Sequence, residues 1–226
     1  MMSIQDIFDK FEQVGCCSFS TVDASGAPVS RIAHFVAVDD GGLYFTTMTV
    51  KPYYRQLKAS GKLAVCGMTG TGTVVMNEEN LPVFEPGFTL RVMGDVRELT
   101  REEVFERAKG NPGFDVVVHD FEAYPETVAF VMYRGHGELY DFDFECEKRD
   151  HKLYRERFAF GGDSFVEPGL VIDPKKCIGC GACARTCTFK AVVPGDPKPY
   201  RIDGSRCDEC GNCYHVCPAR AVSWRS

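Results

Sequence analysis

Cys177-Ile-Gly-Cys180-Gly-Ala-Cys183-Ala-Arg-Thr-Cys187 is followed, thirty positions on, by Cys207-Asp-Glu-Cys210-Gly-Asn-Cys213-Tyr-His-Val-Cys217-Pro218. Both stretches read C-x2-C-x2-C-x3-C, so this part of the chain is an internal repeat. Three cysteines at this spacing let one tight loop present three thiolates to three corners of an iron–sulfur cubane. The fourth tends to point away and reach a second cluster. Gly179, Gly181 and Gly211 permit the tight loop and leave backbone N–H groups close to sulfur. A four-thiolate zinc site from Cys177, Cys180, Cys207 and Cys210 is the alternative. It leaves Cys183, Cys187, Cys213 and Cys217 without a role although they recur at the same spacing.

Working outward, the chain has 226 residues and 12 cysteines, eight of them between Cys177 and Cys217. Cys16, Cys17, Cys66 and Cys146 are scattered and are expected to be small buried apolar residues. A secreted disulfide scaffold is usually shorter and spreads its cysteines, so a metal site appended to an intracellular domain is expected. The net charge of −6 argues against a nucleic-acid partner. Asp6, Asp9, Lys10 and Glu12 interrupt the first apolar residues, so no signal-peptide run is present. No stretch approaches the ~18–20 apolar residues of a membrane span. The expected location is the cytoplasm, with no membrane association. Residues 1–162 carry 17 basic and 25 acidic side chains, whereas residues 163–226 carry 9 and 7. With the glycines and proline between Gly161 and Gly169, that shift predicts domains over 1–160 and 169–226 joined by a linker at 161–168.

In the larger piece, Ile4, Ile7, Phe8, Phe11 and Val14 recur at helical spacing behind a Ser3 cap, predicting a helix over 3–14. Cys17–Val22, Val29–Val38 and Leu43–Thr47 read as strands of an antiparallel meander, separated by Asp/Gly/Pro turns. Pro52 opens a short helix that Gly61 ends. Leu63–Met68, Phe88–Leu99 and Pro125–Tyr140 read as further strands, and Thr69–Gly87 as a long loop or an irregular edge. Thr100 and Glu103 form a capping-box pattern for a helix through Lys109. Short strands with a few inserted helices predict a mainly β, antiparallel barrel.

The repeat, over about residues 166–226, resembles a bacterial two-cluster ferredoxin, a small α+β iron–sulfur domain with two 4Fe–4S clusters. The resemblance implies that Cys177, Cys180, Cys183 and Cys217 hold one cluster, and Cys207, Cys210, Cys213 and Cys187 the other. Pro218 follows the last cysteine, but Thr188 follows Cys187, a departure that removes no ligand. His215, beside Cys213, is expected to be an exposed loop residue.

No G-x-G-x-x-G, P-loop, H-E-x-x-H or G-x-S-x-G pattern occurs in the larger piece. Its ordered series resembles the pyridoxamine 5'-phosphate oxidase-like FMN-binding split barrels over about residues 3–145. The segments that carry it are Cys17–Val22, Val29-Ser-Arg-Ile-Ala-His-Phe35, Gly42-Leu-Tyr-Phe-Thr-Thr47, Val50-Lys-Pro52 and Arg91-Val-Met-Gly-Asp-Val96. The resemblance implies an FMN held by Arg31, by backbone at Ile32, Ala33 and His34, by the hydroxyls of Thr46 and Thr47, and by Lys51. A flavin phosphate calls for such a cation with hydroxyl and amide donors. The family is generally homodimeric, with flavin at the subunit interface, and extends to deazaflavin and haem binders. True pyridoxamine phosphate oxidases end differently from His151–Gly162, so vitamin B6 chemistry is not expected. His34, His119, His136 and His151 have no acid–base partner in the sequence and are read as structural.

The expectation is therefore a flavin-dependent oxidoreductase. Two 4Fe–4S clusters would relay single electrons between a redox partner protein and an FMN acting on a small substrate. The alternative is a substrate-free electron carrier between protein partners.

Overall fold

The computed structural model describes residues 2–70, 73–76, 78–80, 82–84, 87–141, 154–165, 170–195, 199–204 and 206–224. Cys146, His151 and residues 166–168 of the expected linker lie outside them. By internal contact the chain divides into two compact units. One comprises Met1–Gly72, Thr89–Leu139 and Arg157–Phe165, and the other Thr73–Phe88, Tyr140–Glu156 and Val166–Ser226.

The first elements follow from local chemistry. Helix α1 (Ile4–Val14) starts at a reciprocal capping box between Ser3 and Asp6 and buries Ile7 and Phe11. Strands β1 (Cys17–Val22) and β2 (Pro28–Ala33) form an antiparallel hairpin. Strands β3 (Ala37–Asp39) and β4 (Gly42–Met48) form another. Helix α2 (Pro52–Ser60) has proline in its first turn and stops at Gly61, whose φ of 62° is the left-handed cap that glycine adopts without penalty. Then come β5 (Lys62–Met68), β6 (Val74–Met76), β7 (Pro82–Phe84), β8 (Phe88–Glu98), α3 (Arg101–Ala108), α4 (Asp115–Ala123), β9 (Thr127–Asp141) and β10 (Tyr154–Phe160).

Eight strands make one antiparallel sheet, in the order β2-β1-β5-β8-β9-β4-β3 with β10 paired to β9. The fold is thus mainly β, as its alternating segments indicate. The expected meander is corrected at one point: β2 and β3 lie at opposite ends of the strand order. The run Val29–Val38 is two strands, because Phe35 leaves the sheet for the core. Its ring is 5.1 Å from both Phe11 and Phe19 and 6.2 Å from Phe45. A second correction concerns Thr69–Gly87, where β6 and β7 pair as an antiparallel hairpin. Helix α4 and strand β10 were also not legible from periodicity.

The core centres on Phe19, Phe45, Leu90, Phe130 and Met132, all essentially inaccessible. Each such side chain contributes about 1.5–3 kcal/mol on burial. A second cluster joins Tyr44, Val104, Phe114, Val117 and Phe121 and fixes α3 and α4 against the sheet. Strands β8 and β9 approach closely where they carry glycine. A Cβ on Gly137 would sit 2.0 Å from the Arg91 carbonyl oxygen and 2.7 Å from the Phe158 ring.

The second unit repeats itself. It holds β11 (Leu170–Ile172), α5 (Ala182–Thr186), β12 (Val192–Val193), β13 (Arg201–Ile202), α6 (Asn212–His215) and β14 (Val222–Trp224). β11 pairs with β14, and β12 with β13. The Asp173 N–H donates to the Ala221 carbonyl at 2.7 Å, and the Asp203 N–H donates to the Ala191 carbonyl at 2.7 Å. The members of each equivalent pair are thirty positions apart, so each half of the repeat closes on the other half.

Candidate functional site

Two cavities lie in the second unit. Cys177, Cys180, Cys183 and Cys217 line one, and Cys187, Cys207, Cys210 and Cys213 line the other. The last cysteine of each half therefore faces the three-cysteine loop of the opposite half. Cys177 and Cys180 are at a different cavity from Cys207 and Cys210, so these four do not converge as the mononuclear zinc alternative requires. Among the described residues no group of three His, Cys, Asp or Glu side chains could hold a metal ion. A cubane spaces its thiolates more widely, and four sulfurs around each cavity are a donor set that fits one.

The backbone supports the sulfurs in the same repeated way. The Ala191 N–H donates to Cys187 Sγ at 3.3 Å, and the Ala221 N–H to Cys217 Sγ at 3.2 Å. In the loops, Gly181 and Gly211 take φ of 70° and 81°. Gly179 also takes a φ of 70°, and Glu209, its counterpart, follows the same path at 58°. That conformation is uncommon for a residue with a Cβ. The Glu209 N–H donates to Cys207 Sγ at 3.4 Å. Burial pushes the thiols of Cys183 and Cys207 up, and that of Cys213 to about 11. Binding as thiolate thus requires a metal to displace their protons. His215 is exposed, at the end of α6 rather than in a loop.

In the first unit, Arg31 is half-buried on β2. Its Nη1 donates to the Phe19 carbonyl at 3.1 Å and to the Thr21 hydroxyl at 2.8 Å, and its Nη2 donates to Gln56 Oε1 at 2.8 Å. The guanidinium carbon lies 4.1 Å from the centre of the Tyr53 ring. Burial lowers its proton affinity, while Tyr53 opposes that effect. Tyr53 also stacks on Phe45, the residue before Thr46, so Arg31, the middle of β4 and the start of α2 meet at one corner. Lys51 is the N-cap of α2; its side chain is exposed and makes no capping hydrogen bond. Thr46 and Thr47 project to opposite faces of β4, as neighbours on a strand must. Thr46 is half-buried, whereas Thr47 is buried and its Oγ1 has no hydrogen-bond partner among the described residues. Ile32 and His34 are exposed, and Ala33 is half-buried.

A cavity of about 560 Å³ opens on the same unit. Its apolar lining includes Val22, Pro28, Leu63, Ala64 and Met93, and its polar lining includes Lys62, Asp95, Arg134, His136 and Asp163. Thr21, the hydrogen-bond partner of Arg31, forms part of the wall. His136 Nδ1 is 2.9 Å from Asp163 Oδ2, Arg134 Nη2 donates to Asp163 Oδ1 at 3.2 Å, and Lys62 pairs with Asp95. Sequence reading left His136 without a partner. The only signal available was a histidine on an alternating strand, with its carboxylate 27 residues away. The three remaining cysteines among the described residues also divide. Cys17 is buried, as expected, but Cys16 and Cys66 are exposed. Cys66 occupies the outward face of β5, where alternation turns it away from the core that Val65 enters.

Residues 4–127 match the family described as pyridoxamine 5'-phosphate oxidase, and residues 176–222 match the 4Fe-4S dicluster domain. No curated protein matches the chain. Among solved structures, a NimC/NimA family protein from Clostridium acetobutylicum is 18% identical, with 71% of this chain and 95% of that chain covered and a TM-score of 0.49. HutZ, the heme storage protein from Vibrio cholerae, is 13% identical, with coverage of 58% and 90% and a TM-score of 0.41. PhzG from Burkholderia lata, in complex with tetrahydrophenazine-1-carboxylic acid, is 13% identical, with coverage of 65% and 82% and a TM-score of 0.40.

Proposed function

The chain belongs to the pyridoxamine 5'-phosphate oxidase family and carries a 4Fe-4S domain over residues 176–222, and from that premise we propose that it is a flavin-dependent oxidoreductase in which two 4Fe–4S clusters relay single electrons to or from an FMN acting on a small substrate. The single observation that carries this function is the pair of cavities, each lined by four cysteines drawn from both halves of the repeat. Cys177, Cys180, Cys183 and Cys217 would hold one cluster, and Cys207, Cys210, Cys213 and Cys187 the other. The flavin-binding domain and the iron–sulfur domain give the chain an electron-transfer, redox role.

The residues present in the barrel fit a flavin phosphate. Thr47 Oγ1 is a buried hydroxyl still lacking a partner among the described residues, and Lys51 presents an ammonium beside the free amide end of α2. Arg31 is already oriented by Thr21, Gln56 and Tyr53, so little side-chain freedom remains to be lost on binding. Backbone at Ile32, Ala33 and His34, and the Thr46 hydroxyl, complete the proposed contacts. A bound FMN supplies both one-electron exchange with clusters and two-electron exchange with an organic substrate. The 560 Å³ cavity supports a small-molecule substrate, since its volume is that of such sites. Its wall holds His136 oriented by Asp163, a pair able to hold a proton at Nδ1.

A homodimer with the flavin at its interface is part of this proposal. The outward sheet face supports it, with Ile32 71% exposed and Met68 and Met93 each 42% exposed. No helix among the described residues is long and apolar enough to cross a membrane. The proposed location is the cytoplasm, with a redox protein as electron partner.

The test is anaerobic purification followed by extraction of the cofactor and iron analysis. FMN and about eight iron per chain are expected. A colourless, iron-free chain after reconstitution overturns the proposal. Turnover across a panel of organic acceptors then separates an enzyme from a carrier, which would reduce protein acceptors alone.

A further inference from the structure

The two halves of the cysteine repeat differ in charge just after their first cysteines. Asp208 and Glu209 follow Cys207, where Ile178 and Gly179 follow Cys177. Both acidic residues line the cavity of Cys187, Cys207, Cys210 and Cys213, and among the described residues no acidic residue lines the other cavity. Arg155, on β10, answers that excess. Its Nη1 donates to the Cys207 carbonyl at 2.9 Å, and its Nη2 lies 3.9 Å from Asp208 Oδ1. Its guanidinium carbon is 5.2 Å from the centre of the Tyr140 ring, and the side chain is only 12% exposed. The first half has a different device: Arg185 donates to the Cys180 carbonyl at 3.0 Å, but Arg185 is exposed, so water and salt screen it.

We infer that Arg155 is a positioning and charge-setting residue for the iron–sulfur centre at Cys187, Cys207, Cys210 and Cys213, raising its reduction potential while leaving the other centre unaffected. The inference rests on the two-cluster reading. Reduction adds one electron from a reducing partner, with no bond formed or broken, so the reduced centre is the more negative state. A nearby positive charge favours that state, and nearby carboxylates oppose it. Arginine keeps its charge at any working pH, and a shielded charge acts more strongly than a solvated one. The bond to the Cys207 carbonyl also holds the first ligand of the loop in place.

The experiment uses the full chain, reconstituted anaerobically with iron and sulfide and titrated with dithionite while EPR follows each centre. Arg155→Gln keeps a donor for the Cys207 carbonyl but removes the charge; Arg155→Lys keeps the charge. With iron content unchanged, Arg155→Gln should lower one midpoint and spare the other, and Arg155→Lys should stay near the wild type. Midpoints unmoved in Arg155→Gln, or shifted equally at both centres, overturn the inference. Should Arg155→Gln fail to load one centre, Arg155→Lys decides. Full loading at wild-type midpoints supports charge setting, and loss of the same centre overturns it in favour of shape alone. A wild-type chain that takes up no iron overturns the cluster reading itself, whereas about eight iron with unresponsive midpoints overturns only the role of Arg155.

Discussion

His136 Nδ1 stands 2.9 Å from the Asp163 carboxylate, joining strand β9 to the residues that follow β10. The hydrogen bond from His136 holds the Asp163 carboxyl below its ordinary range. A depressed folded-state value means that the contribution is present above about pH 4 and disappears as pH falls through the lowered range. Asp163→Asn should therefore lower Tm by about 1–3 °C at pH 7, as expected for a partly exposed pair. The gap to wild type should close on acidification, and a gap that stays constant down to about pH 2 rejects this account of the pair.

The division of cysteines between the two cavities predicts how ligand losses group. Cys217→Ser should remove the same centre as Cys183→Ser, although Cys217 belongs to the second half of the repeat. Cys187→Ser should match Cys207→Ser. Iron analysis should fall from about eight to about four in each case, with EPR identifying the surviving centre. Grouping by sequence half instead would contradict the crossed arrangement.

At the proposed flavin corner, Thr47→Val separates two effects. It removes a buried hydroxyl with no partner among the described residues, so the cofactor-free chain should gain stability by up to about 1–3 kcal/mol. The same variant should bind FMN more weakly, which fluorescence titration would read. Lys51→Ala and Arg31→Ala should each weaken binding about 10–150-fold, the value of a charge-assisted hydrogen bond. Unchanged affinity in all three would move the flavin elsewhere.

Gly137 is under a different constraint. A Cβ there meets backbone and a ring, neither of which can swing aside. Gly137→Ala should cost about 1–3 kcal/mol and lower Tm by about 3–10 °C, measured by calorimetry. An unchanged Tm would show that β8 and β9 can separate at no cost.

The non-ligand thiols should react unequally. Burial, then the neighbouring Cys16 and Cys66, push Cys17 up to about 11, whereas Cys16 and Cys66 are exposed. At pH 8, peptide mapping after brief alkylation should find Cys16 and Cys66 modified and Cys17 spared. Cys17 should become reactive only as pH rises toward its shifted value.

Much of the barrel was legible because its signals are local. The Ser3 cap and the Thr100–Glu103 capping box act over three residues and form as read, and the structure adds the reciprocal bond from Asp6. Alternation along Phe88–Leu99 puts Phe88, Leu90, Val92 and Val96 on one face, and the structure buries the last three and half-buries Phe88. The failures were non-local. Phe35 reads like any apolar residue in a strand run, and only the positions of Phe11 and Phe19 show that it anchors the core. Cys66 was expected inside, but register with β1 and β8 sets which face each β5 residue takes.

The sequence by itself determined the chemistry available: eight cysteines at doubled spacing, a cation and hydroxyls in the proposed flavin segments, and alternating strands that build a mainly β domain. Each is written within a few residues of chain, the range over which periodicity and turn chemistry act. Only the tertiary structure decided which side chains meet. It brought His136 to Asp163 and Arg155 to the Cys207 carbonyl. Those pairs are brought together by sheet register, which no local spacing records.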